Sequence, residues 1–173
     1  MRRVSEPTQT SCERERMRRK DREVADRKEV EAILRRAKVL RLALFDEDYP
    51  YITPLHYGFL FDEGNLVFYM HGALQGRKLE LIRRNPNVCV ELDCDVEPIS
   101  GGDVACRYGS QYASIVARGR AAVVEAPEEK RKGLKLLMAN QTGRDFEFGA
   151  KELSMVAVIR VAVERWTATA RRA

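Results

Sequence analysis

The chain has 173 residues, 45% hydrophobic and 33% charged, the balance of one folded domain with a core of its own. Its formal net charge of +5 admits anionic small molecules or nucleic acid as partners, and no apolar run approaches the roughly 20 residues that span a bilayer. Four cysteines without a Cys-x-x-Cys pair, and only two histidines, argue against an all-protein zinc site.

Residues 1–20 are polar and charged with no apolar periodicity, and a flexible tail is expected there ahead of a domain over 21–173. They lack the apolar segment of a secretory signal, so a cytoplasmic protein with free thiols is expected. The basic run Arg14 to Arg22 has no interleaved aromatic and is diluted by Glu15 and Asp21, which weighs against nucleic-acid binding. Asp26 caps a helix, with Glu29 as its capping-box partner. Val30, Ile33, Leu34 and Ala37 fall on one face of that helix.

Strands follow over Val39–Leu44 and Tyr51–Phe59, joined by an Asp46-Glu47-Asp48 turn. Pro54 cannot donate to a ladder and predicts an edge, a bulge or an opening in the sheet. After a turn over Asp62–Asn65, an aromatic run from Leu66 ends at His71. A glycine-punctuated turn then leads into a helix that opens with Arg77 and Lys78 and stops at Asn85-Pro86. Amides at a helix start lack internal partners and favour an anion. Arg77 offers a fork of donors and Lys78 a mobile point charge, so this turn is a candidate phosphate site faced by His71.

Val88–Leu92 reads as a strand and Glu97–Gly109 as a long loop flanked by Cys94 and Cys106. A long strand over Gln111–Glu125 should bend near Gly119. A helix opens at Pro127 with Leu134, Leu137 and Met138 on its apolar face, and a last strand covers Met155–Val163 ahead of Trp166. Strands joined mostly by short turns favour an antiparallel sheet, and about six of this length close as a small barrel. The chain has no Gly-x-Gly-x-x-Gly, no Walker loop and no Gly-x-Ser-x-Gly elbow. Taken singly, His56, His71, Ser114, Tyr69 and Tyr112 each have an ordinary structural explanation.

Three segments together carry more: Asp48–Gly58, Phe68–Lys78 continuing to Asn85-Pro86, and Tyr112–Gly119. Their wording and order resemble the 5-nitroimidazole-resistance proteins of the pyridoxamine 5′-phosphate oxidase-like, FMN-binding split-barrel superfamily, over about residues 17–167. The resemblance implies a mainly β fold, a six-stranded antiparallel Greek-key split barrel with flanking helices. It also implies a homodimer with two FMN sites at the interface. Thr53, Pro54, Leu55, Tyr69, Met70 and His71 match positions along the flavin ring. Arg77 and Lys78 match the phosphate-binding cations and Ser114 a hydroxyl near that end, with Ala73 and Tyr112 also at the cofactor. His71 matches a histidine beside the flavin and is the candidate catalytic residue. Gly72 stands where relatives often carry serine. The implied activity is reduction of nitroaromatic or related small molecules. Alternatives are an FMN carrier or sensor without fast turnover, and haem binding with His71 or His56 as axial ligand.

Overall fold

Alternation of apolar and polar residues dominates this chain, and a wall with one face inward is what it builds. The computed structural model describes residues 13–14 and 19–172. Its elements are β1 (Glu13–Arg14), α1 (Arg27–Arg36), β2 (Val39–Leu44), β3 (Tyr51–Asp62), β4 (Asn65–Gly72), α2 (Arg77–Arg84), β5 (Asn87–Ile99), β6 (Gly109–Val124), α3 (Pro127–Thr142), α4 (Ala150–Ser154) and β7 (Ala157–Arg171). Strands β2 to β7 form a closed six-stranded antiparallel barrel in the order β7-β4-β3-β2-β5-β6, with β6 pairing back to β7. The short β1 adds to β7 in parallel. Cys12 and residues 15–18 of the basic run lie outside the described residues. Cys89, Cys94 and Cys106 are free thiols. Among the described residues no helix is long and apolar enough to cross a membrane.

Leu40, Leu42, Phe68, Met70, Val90, Leu92, Ile115 and Ile159 point inward and fill the barrel. Each such side chain contributes about 1.5–3 kcal/mol by leaving water. One end is closed by α1, whose Ile33 and Leu34 are fully buried. Tyr57 joins that end to the wall. Its hydroxyl donates toward the carbonyls of Leu34 at 2.8 Å and Ala37 at 3.0 Å, and burial raises its pKa. The Asp26 carboxylate accepts from the Glu29 amide at 2.9 Å, as the capping pattern predicts. The reciprocal half is absent, because the Glu29 carboxylate pairs with Arg172.

Two expectations are corrected. β5 runs on to Ile99 and β6 begins at Gly109, so the loop is confined to residues 100–108 at the end of a long hairpin. β7 continues past Val163 to Arg171 and includes Trp166. The short helix α4 carries no sequence signal strong enough to predict it. The bend near Gly119 is a register shift between Arg118 and Gly119 against β7.

Helix α3 lies across the outside of β3 and β4, and Gly58 makes that approach feasible. A Cβ there would sit 2.2 Å from the Leu137 amide nitrogen and 2.3 Å from the Leu136 carbonyl carbon, both rigid backbone. Gly58→Ala should therefore cost about 1–3 kcal/mol or more by overpacking. For a chain of this size that lowers Tm by roughly 3–10 °C. Thermal melts followed by circular dichroism would show it, and an unchanged Tm would mean that α3 is not seated on Gly58.

Candidate functional site

One strand changes partners halfway along, and the wall opens there. Residues 51–56 of β3 pair with β2, whereas residues 57–62 pair with β4. The last rung between β3 and β4 is Tyr57 opposite Met70. Beyond it His71 and Gly72 pair only with β7, opposite Val158 and Ala157. Among the described residues the stretch Tyr51–His56 thus has a free backbone edge, and Pro54, which lacks an amide hydrogen, is tolerated in it. This is the opening that Pro54 predicts.

The turn after β4 and the start of α2 border the opening. Gly76 adopts φ 134°, a conformation that L side chains rarely adopt, and it begins α2 without a side-chain cap. Gly76 O accepts from the amides of Leu79 and Glu80. The amides of Arg77 and Lys78 at the first turn have no intrahelical acceptor. Lys78 folds back over the strand end: a Cβ on Gly72 would meet its Cε at 2.7 Å and its Nζ at 2.8 Å. The glycine where relatives often carry serine is therefore the space in which this ammonium lies. Among the described residues no carboxylate pairs with Lys78.

Arg77 is differently placed. Its Nε and one terminal nitrogen each donate at 2.7 Å to the carboxylate of Asp46, in the β2–β3 turn. Arg84 shares that carboxylate at 3.3 Å. The Arg77 guanidinium, first by its hydrogen bonds, holds the Asp46 carboxyl below its ordinary range. Arg77 reaches the opening with part of its fork already used.

The strand pleat sorts the other candidates. Pro54 and His71 are exposed on the outer face, and Ala73 is exposed in the turn. Thr53 is half-buried on the opposite side of the pleat, and Leu55 packs against the barrel core. Met70 is wholly buried in that core. Tyr69 is buried under α3, its ring against Gly133 and its hydroxyl donating to Glu129 at 3.3 Å. Tyr69 and Met70 therefore offer a ligand near His71 their backbone and not their side chains. The pKa of His71 is lowered, first by partial desolvation of the ring where its neighbours crowd it and then by the charges of His56 and Lys78.

Tyr112 and Ser114 are not brought to this opening within one chain. Ser114 faces Thr169 across the β6–β7 ladder, their hydroxyls 2.8 Å apart. The Tyr112 hydroxyl accepts from Arg22 at 3.3 Å. On one side β3, β2 and β5 lie between β4 and β6; on the other only β7 does, but His71 pairs with Val158 and Ser114 with Thr169, 11 residues further along that strand, or roughly 36 Å of it. His56 belongs beside His71, although the flavin-ring matches along β3 stop at Leu55. The signal that could have found it is the strand register, which sequence does not display.

Chemically, the opening offers an unpaired ammonium, a partly engaged guanidinium, free helix-start amides, a free strand edge and an imidazole. That set suits a flat ligand with an anionic tail.

A family model described as pyridoxamine 5′-phosphate oxidase matches residues 26–170. The chain is similar in structure to a candidate 5-nitroimidazole antibiotic resistance protein from Bacteroides thetaiotaomicron, with 26% identity, a TM-score of 0.72 and 86% of each chain covered. It is also similar to the FAD and haem binding protein from Mycobacterium smegmatis, with 17% identity, a TM-score of 0.73, and 88% of this chain and 74% of that one covered. A flavocytochrome from Azotobacter vinelandii shares the fold at 19% identity and a TM-score of 0.72, over 91% of this chain and 72% of its own. Among curated proteins none matches the sequence.

Proposed function

Because the chain belongs to the pyridoxamine 5′-phosphate oxidase family, we propose that the opening between β3 and β4 binds FMN. On this reading the protein is a homodimeric oxidoreductase acting on a nitroaromatic or related small molecule. The observation that carries it is the opening itself, where β3 parts from β4 with Lys78 on one border and a free backbone edge on the other.

The residues fit the cofactor. A doubly charged phosphate suits Lys78, the outer donors of Arg77 and the first amides of α2. The polar edge of an isoalloxazine suits the edge of residues 53–55 that faces away from β2. Ala73 and Pro54 supply small apolar surface. Bound flavin would supply the electron transfer, and the protein's part is to hold it, shape access to it and place His71 beside it. The similarity to the nitroimidazole-resistance relative supports the choice of acceptor.

Tyr112 and Ser114 are assigned to the opening of a second copy, since in their own chain they pair with Arg171 and Thr169, at the far end of β7 from the Val158 that faces His71. Ile52 on β3, Val116 on β6 and Phe45 in the β2–β3 turn are exposed and supply apolar surface for that pairing.

The chromophore and mass of the purified protein test the proposal together. Flavin absorbance bands, released as FMN on denaturation, and a light-scattering mass about twice the 19.8 kDa chain are expected. A Soret band would replace FMN with haem, as the flavocytochrome-like relatives suggest. Strict monomers that bind FMN tightly would contradict the shared site. Turnover with a reductant and a nitroimidazole would separate an enzyme from a carrier.

A further inference from the structure

The chain has two histidines, and the fold brings them together. The β3–β4 ladder ends at Tyr57 opposite Met70, so His56 and His71 are the next residues on the two strands as they part. Both are exposed on the outer face. His56 is pinned there, with its Nδ1 3.1 Å from the carbonyl oxygen of Lys38. A carbonyl only accepts, so Nδ1 carries the hydrogen and Nε2 is the lone-pair nitrogen of the neutral ring.

That carbonyl is held in turn by the end of α3. Gln141 donates to it at 3.1 Å and to the Tyr57 carbonyl at 2.9 Å, while Asn140 also donates to Tyr57 O at 3.0 Å. The Lys38 ammonium points elsewhere, donating to Asn140 O at 2.6 Å. The charged or titratable groups that face His71 are thus His56 from β3 and Lys78 from α2; β7 places Val158 opposite it.

We propose that His56 is a positioning residue for His71: held on the Lys38 carbonyl, it opposes a second positive charge beside it and keeps the His71 imidazole neutral until an anion offsets Lys78. The physical ground is repulsion between two imidazolium rings that stand next after the last shared rung, on the two strands as they part. The His56 charge is among the causes that lower the His71 pKa, after desolvation and ahead of Lys78. Its consequence for catalysis rests on the flavin reading. In that setting His71 meets the bound ligand as a hydrogen-bond acceptor and takes up a proton when the phosphate neutralises Lys78.

The experiment is a proton and nitrogen NMR titration of the protein without added flavin, where two imidazoles make assignment simple. His56→Gln keeps a donor for the Lys38 carbonyl and removes the titrating ring. It should raise the His71 midpoint by roughly 0.3–1 pH unit while circular dichroism stays native. An unchanged His71 midpoint in a folded His56→Gln overturns the proposal. A wild-type His56 that carries its neutral-form proton on Nε2 overturns it as well, and this second measurement decides the case if the variant does not fold. In flavin-loaded protein, His56→Gln should move the acid limb of the rate profile in the same direction. Failure to bind FMN would sink the flavin reading and leave the NMR result standing.

Discussion

Replacing Arg77 and Lys78 together with alanine is expected to weaken FMN binding by about two to four powers of ten. Charge-assisted bonds to a phosphate are worth roughly 1.5–3 kcal/mol each, and two of them convert to that range. The two cations should not contribute equally. Lys78 has no carboxylate partner among the described residues, whereas Asp46 occupies two of the nitrogens of Arg77. Lys78→Ala alone should therefore take the larger share. The Asp46 carboxyl has a lowered pKa, caused first by its bonds to Arg77, so the Asp46–Arg77 pair is intact above the ordinary carboxylate range. It is lost only as pH falls through the lowered value. Comparison of the variants near pH 7 thus reads phosphate binding with the pair formed throughout. Flavin fluorescence titration measures it, and a double variant with the wild-type dissociation constant would end the assignment.

The residues that act through local rules were legible in the sequence. Pro54 announced a gap in the sheet because a missing donor is a local fact. Asp26, Gly76 and Asn85-Pro86 marked helix ends for the same reason. Residues that depend on neighbours distant in the chain were not legible. Asp46 read as a turn acid, and only the fold puts it against Arg77, 31 residues away. Tyr69 and Met70 matched ring-facing positions by wording. The pleat sends Met70 into the barrel and Tyr69 under α3, which a motif does not record. The mispredicted ends of β5 and β7 have a similar origin. Asp93, Pro98, Thr167 and Thr169 look like strand breakers or polar spacers, yet each lies on a long antiparallel ladder whose pairing overrides local propensity.

His71→Ala is expected to lower nitro-group reduction by about a hundredfold to ten-thousandfold, the usual contribution of a positioned acid or base. Fold and most FMN affinity should survive. His71 takes part in the β4–β7 ladder through its backbone, opposite Val158, and among the described residues its imidazole has no hydrogen-bond partner. The ring stands exposed at the border of the opening, beside Lys78 and His56. Since its pKa lies below the ordinary value of 6.5, the neutral form prevails at pH 7 in the ligand-free chain. The protonated form gains only as pH falls through that lowered value. A rate that depends on a proton delivered by His71 should then rise toward acid and level off once the ring of the flavin-bound protein is protonated, and the alanine variant should lose this dependence. Circular dichroism, flavin titration and turnover on one preparation separate the effects. Wild-type turnover in the variant would make His71 a strand-end residue and nothing more. Loss of folding would move the test to His71→Asn, whose amide keeps the size and polarity of the ring's near edge without its proton chemistry.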